Sequence, residues 1–161
     1  MSTNERKRIL FVCLGNICRS AAAEAVMKSI VEEYGVSDRF YIDSAGILSV
    51  HQGEQADPRM RSIASARGYQ ITSISRPVTY DDFDKFDWLI GMDDSNVDAL
   101  MDKAVTQEQK EKIKRMADFS NDSDVTYVPD PYYGGLKGFD RVIDILEDSC
   151  KGLFDSIRKD L

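Results

Sequence analysis

The sequence predicts an α/β protein: one three-layer domain in which a parallel sheet is covered by helices on both faces. Three observations carry this expectation. RILFVC at 8–13 is a near-continuous apolar run, the pattern of a central strand buried on both faces. A stretch of small residues at helical spacing follows it directly. Strand-like and helix-like segments then alternate to the end of the chain. With 161 residues and no Pro/Gly/Ser linker or repeat, the expectation is one domain over 1–161.

The elements follow in order. Residues 1–7, MSTNERK, are polar and read as a flexible leader; they lack the apolar stretch of a signal peptide. Ala21, Ala22, Ala23, Ala25, Val26, Met27, Ile30 and Val31 suit a helix packed tightly on a sheet and ending near Gly35. FYIDSA at 40–45 reads as the second strand, stopping at Gly46. Asp57 and Pro58 provide a cap and first turn for a helix to Gly68. DWLIGM at 87–92 is the third strand, with helices expected over 93–101 and 106–115. MADF at 116–119 is the candidate fourth strand. Residues 120–138 hold Pro129, Pro131, Gly134, Gly135 and Gly138, so a long loop is expected there. From Phe139, apolar residues at 142, 143, 146, 150, 153, 154 and 157 mark an amphipathic helix on the core.

Composition narrows the function classes. Subtracting 28 acidic from 21 basic residues gives a net charge of −7. Such a chain is poorly suited to neutralising nucleic-acid phosphates or approaching an anionic membrane surface. Any phosphate site must rest on local positive potential. ILFVCLG is too short to span a bilayer. Three cysteines form no disulfide framework, which points to reduced thiols and a cytoplasmic location, with a monomer as the default.

VCLGNICRS at 12–20 lies where ligands gather in such sheets, beyond the carboxyl end of a strand. Gly15 permits a tight backbone path. Loop amides and the start of the next helix form an anion nest, and Arg19 adds a fork matched to two phosphate oxygens. A thiol at a helix N-terminus beside an arginine ionises more readily, so Cys13 reads as a nucleophile, with Ser20 as a donor to its sulfur. The plainer alternative is a buried strand thiol at Cys13 and a helix-start thiol at Cys18. A leaving group needs a proton, and Asp130 in VPDPYYGG is the candidate donor, held extended by Pro131. Alone, Asp-Pro is a common turn former. Tyr132 and Tyr133 either wall the cleft or cover the core edge. His51, the only histidine, reads as a cleft residue and not a metal ligand. Cys150 sits on the apolar face of the last helix as inert core. DDFDKFD reads as a solvated helix and its cap, and DFSNDSD as a polar loop.

C-x5-R-S after an apolar strand, with D-P-Y-Y late in the chain, resembles the low-molecular-weight protein tyrosine phosphatases. DSAG at 43–46, DPR at 57–59 and MDDSN at 92–96 fall where that family has similar segments, so the resemblance runs from about Ile9 to the last helix. It implies a four-stranded parallel sheet in the order 2-1-3-4. It implies Cys13 as nucleophile, Arg19 as phosphate clamp, and Asp130 as general acid and then general base. Leu14, Gly15 and Ile17 would complete the phosphate loop, and Ser20 would steady the thiolate. Asn16 would hold the loop's unusual backbone, with Ser44 as a hydrogen-bonding neighbour. Cys18 would pair reversibly with Cys13 under oxidant. Val50 stands where many relatives have an aromatic wall of the substrate cleft, and Ser73 about where they often have a histidine supporting the loop.

The expected substrate is a phosphotyrosine protein or a small aryl phosphate, with phosphate or sulfate as an occupant of the loop, and neither metal nor cofactor. Three other functions share the scaffold. Thioredoxin-coupled arsenate reduction would need further mid-chain cysteines. Protein arginine phosphatases resembling this chain have Thr at the position of Ile17. A non-catalytic phosphate-binding or redox-sensing module would not need Asp130.

Overall fold

The computed structural model describes residues 6–131 and 135–161. RILFVC lies in its central strand, β1 (Lys7–Cys13). Strands β2 (Phe40–Gly46), β3 (Trp88–Gly91) and β4 (Ile113–Arg115) complete a parallel sheet in the order β2-β1-β3-β4. The four-stranded parallel sheet and its 2-1-3-4 order are as expected.

Alternation along β1 explains why its apolar run is unbroken. Ile9, Phe11 and Cys13 face the core beneath α1 (Arg19–Glu33) and α6 (Leu136–Arg158). Leu10 and Val12 face the opposite core, with Phe83, Phe86, Leu100 and Ile113. All four residues from Ile9 to Val12 are fully buried. Helix α1 is buried all round from Arg19 to Met27, sandwiched between the sheet and α6, where Cys150 Sγ lies 3.8 Å from Ala23 O. Its small residues allow that close packing. Gly35, at φ 71°, ends the helix, and Val36 N–H donates back to Val31 O.

The remaining helices are α2 (Pro58–Ala66), α3 (Asp82–Lys85), α4 (Asp94–Lys103) and α5 (Gln107–Glu111). Asp57 caps α2 as expected, accepting from Arg59 N–H at 2.8 Å. Asp93 caps α4 in the same way, accepting from Asn96 N–H.

Several expectations need correction. Lys7 belongs to β1 and pairs with Phe40, although 1–7 reads as a leader; backbone pairing does not require an apolar side chain. Residues 1–5 lie outside the described residues. The helix expected over 106–115 stops at Glu111, and the fourth strand is Ile113–Arg115 instead of 116–119. This edge strand buries only Ile113, so its charged sequence carries no apolar run. Met116–Phe119 forms a 3-10 turn whose buried Met116 and Ala117 produce the strand-like pattern. The last helix starts at Leu136, three residues before Phe139. DDFDKFD is not simply solvated: Asp82 and Phe83 are buried.

Candidate active site

The site is built at the carboxyl edge of the sheet, where β1 ends at Cys13 and α1 begins at Arg19. Neighbouring segments hold the intervening loop by its carbonyls. Ile47 N–H donates to Cys13 O and Leu48 N–H to Leu14 O, both at 2.9 Å. Ser75 Oγ donates to Gly15 O, and Asp57 N–H to Ile17 O. Among the described residues, no backbone carbonyl accepts from the amides of residues 14–18. Backbone amides left without a carbonyl partner are the groups that an anion nest uses. Asn16 takes the left-handed conformation at φ 59°, which asparagine tolerates better than most residues. His51 Cδ2 would lie 2.9 Å from a Cβ at Gly15, so the missing side chain makes room for the imidazole over the loop.

Cys13 Sγ lies 3.0 Å from Ser20 Oγ and 3.4 Å from Ser20 N. Asn16 Nδ2 donates to Ser20 Oγ at 2.8 Å, leaving the hydroxyl proton available to the sulfur. Arg19, only 2% exposed, is held in place: Nη1 donates to Asp93 Oδ2 at 2.7 Å and to Val128 O at 3.0 Å. Asp130 Oδ2 lies 3.8 Å from Arg19 Nη2. A cavity of about 250 Å³ collects these groups, with Cys13, Arg19 and Asp130 in its lining and Leu14, Ile17, Leu48, Val50 and His51 as walls.

Burial disfavours the ionised form of Asp93, but hydrogen bonds from Arg19, Asn96 and Ser95 outweigh it and hold the carboxyl below its usual range. Cys18 behaves differently from a reactive thiol. Burial, followed by the charges of Asp57, Cys13 and Asp130, pushes its pKa far up, with Arg59 opposing. It is held as a neutral thiol beside the loop. Cys150 is fully buried, and its pKa is raised by that burial.

Cys13, Leu14, Gly15, Ile17, Cys18, Arg19, Val50, His51 and Asp130 therefore share one cavity, while Asn16 and Ser20 form the layer beneath. Ser44 does not join them. Its Oγ donates to Glu24 Oε1 at 2.6 Å, and the place expected for it beside Asn16 is taken by the Arg76 backbone amide. The buried Ser73 Oγ has no hydrogen-bond partner among the described residues, and Ser75 and Arg76 support the loop instead. Tyr132 and Tyr133 lie outside the described residues. Sequence reasoning missed Asp93 and Val128 O as the holders of Arg19. Asp93 was visible only as a helix start, and a backbone carbonyl leaves no signal in sequence.

A family model described as low molecular weight phosphotyrosine protein phosphatase matches residues 8–161. A putative low molecular weight protein-tyrosine-phosphatase of Synechocystis is 40% identical over 154 residues, covering 96% of this chain and 98% of its own. The chicken low molecular weight phosphotyrosine protein phosphatase is 36% identical over 156 residues, covering 96% and 98%. A crystal structure of a protein tyrosine phosphatase from Entamoeba histolytica, with Hepes in its active site, superposes with a TM-score of 0.92 at 51% identity, covering 95% and 97%. Loop, fold and near-complete coverage agree, and the chain belongs to the low molecular weight phosphotyrosine protein phosphatase family.

Proposed function

We propose that this protein hydrolyses phosphotyrosine, in proteins or as small aryl phosphates, through a phosphocysteine on Cys13. One observation carries the proposal: a thiol, a buried guanidinium and a carboxyl converge on a single cavity with apolar walls. Loop amides and Arg19 hold the phosphoryl oxygens. Cys13 Sγ attacks phosphorus in line, forming the S–P bond as the P–O bond to the ring breaks. Asp130 gives its proton to the departing phenolate oxygen. In the second half, Asp130 as carboxylate takes a proton from water, which attacks phosphorus. The S–P bond breaks, and inorganic phosphate and the Cys13 thiolate are released.

Ile17, Leu48 and Val50 favour an aryl group, because they present apolar surface and Ile17 has no hydroxyl to direct another substrate. Cys18 lines the same cavity as Cys13, which supports a protective disulfide with it under oxidant. Phosphate and sulfate fit the loop as competing anions. A cytoplasmic location is the accompanying assignment, supported by three free, buried cysteines, and a monomer is the default. Among the described residues no helix is long and apolar enough to cross a membrane.

The test compares matched phosphotyrosine, phosphoserine and phosphoarginine substrates with wild type and Cys13→Ser under reducing conditions. Turnover of phosphotyrosine alone, lost in Cys13→Ser while phosphate still binds, is the expected result. Turnover that survives Cys13→Ser overturns the nucleophile. Preferential turnover of phosphoarginine overturns the substrate class.

A further inference from the structure

Residues 75–78 run beside the catalytic loop as a short rail. Gly46 N–H donates to Arg76 O, and Val78 N–H to Gly46 O, each at 2.8 Å, which carries parallel pairing one bridge past β2. Two bonds leave this rail for the loop. Ser75 Oγ donates to Gly15 O at 2.9 Å, and Arg76 N–H donates to Asn16 Oδ1 at 3.1 Å. Asn16 is the one non-glycine left-handed residue among those described, and its amide nitrogen leads on to Ser20 and Cys13. A bond from a backbone amide can hold Asn16 only as firmly as that backbone is itself held.

The Arg76 side chain does the holding. Its Nη2 and Nε reach Asp43 Oδ2 at 3.0 and 3.3 Å, on β2. Its Nη1 and Nη2 reach the two oxygens of Asp82 at 2.9 and 3.1 Å, at the start of α3. Nη1 also lies 3.3 Å from Pro77 O, within the rail. The Asp82 side chain is only 6% exposed, so its charge depends on these partners and on Thr79 N–H. The planar fork of arginine suits this two-sided task, which a single ammonium cannot match. Burial disfavours the Arg76 charge, but the two carboxylates outweigh it and keep the group firmly ionised.

We propose that Arg76, clamped between Asp43 and Asp82, is a positioning residue that fixes Asn16 in its left-handed conformation and thereby sets the Ser20–Cys13 contact. This rests on Cys13 being the nucleophile. A second ion cluster separates this role from a purely structural one. Arg67 bonds Asp140, Asp144 and Glu147 on α6, ties α2 to that helix, and has no bond to the loop.

The test uses the full chain as Arg76→Ala, Arg76→Lys, Asp82→Asn and Arg67→Ala, with p-nitrophenyl phosphate as substrate and inorganic phosphate as competing ligand. Melting temperature, kcat, KM and phosphate inhibition are measured together, with the NMR signals of the Asn16 side-chain amide. Arg76→Ala should lower kcat roughly 10- to 100-fold, as sub-ångström to ångström misplacement of reacting groups does. It should weaken phosphate and move the Asn16 amide signals. Arg76→Lys should recover only part of the loss. Asp82→Asn, nearly isosteric, should show the same pattern in milder form and serves if Arg76→Ala does not fold. Arg67→Ala should lower the melting temperature while leaving kcat and the Asn16 signals unchanged. Unchanged Asn16 signals and kcat in both Arg76→Ala and Asp82→Asn, or an equal loss of kcat in Arg67→Ala, overturns the proposal. Turnover that survives Cys13→Ser instead overturns the nucleophile and leaves the Asn16 measurement standing by itself.

Discussion

Gly46→Ala should distort the loop after β1 from behind, although Gly46 itself does not line the cavity. Gly46 pairs with Cys13 across β1 and β2. A Cβ there would lie 3.1 Å from Gly15 C, Leu14 O and Leu48 O. Non-bonded carbons rest at about 3.5–4.0 Å, so the backbone must give by roughly 0.4 Å. None of the three atoms is on a flexible side chain. The bonds from Ile47 N–H to Cys13 O and from Leu48 N–H to Leu14 O resist the opening. Gly46 is not among the positive-φ residues, so alanine is conformationally allowed there and the contact is the whole effect. The strain belongs to the overpacking class, about 1–3 kcal/mol. At this chain length that lowers Tm by about 2–4 °C per kcal/mol. The displaced atoms belong to the loop that lines the cavity, so under the proposed mechanism kcat/KM should fall roughly 10-fold or more. Steady-state aryl phosphate hydrolysis and a thermal melt measure both effects. Gly35→Ala is the control: at φ 71° and with nothing within 4 Å, it should lower Tm and leave kcat alone. Wild-type kcat/KM in Gly46→Ala would refute the close-approach reasoning, as would an equal activity loss in Gly35→Ala.

Three further outcomes are expected. Asp130→Asn should lower kcat by roughly 10²–10⁴-fold for a poor phenol leaving group and less for p-nitrophenol, which needs little protonation; equal losses with both would assign the proton to another group. Burial pushes the Asp148 carboxyl up, but hydrogen bonds from Ser120 and Asn121 outweigh it and leave it below the usual range. Its stabilising contribution is therefore fully present above the unfolded carboxylate value near pH ~4 and is lost as pH falls from there through the lower folded-state value. Asp148→Asn should flatten the acid side of the stability curve, and an unchanged slope in urea titrations at stepped pH would contradict this. A Cβ at Gly152 of α6 would collide with Phe119 O in the turn before the long loop. Gly152→Ala should therefore cost about 1–3 kcal/mol or more in denaturant melts, and wild-type stability would mean the turn yields freely.

What could be read in the sequence lies close together along the chain. RILFVC announced a strand covered on both faces because each side of it meets a different core. VCLGNICRS encodes its own loop, since a strand end, a tight turn and a helix start are local geometry. The Asp57-Pro58 start and the Gly35 end of helices are local in the same way. The fourth strand escaped because an edge strand that buries one residue differs little from an exposed helix. Ser44 was misplaced because its partner, Glu24, comes from the facing helix.

Tertiary structure alone decided which distant groups serve the loop. Arg19 and Val128 are 109 residues apart, yet a carbonyl of the late loop holds the guanidinium. Asp93 caps α4 and grips Arg19 with the same carboxylate, and only the packing of β3 beside β1 makes that possible. Arg76 looks like an ordinary surface arginine in SISRPVTYDD until the fold closes Asp43 and Asp82 around it. Local propensity and periodicity reach only a few residues along the chain. The charges that orient a catalytic loop come from wherever the sheet brings them, and no short stretch of sequence records that.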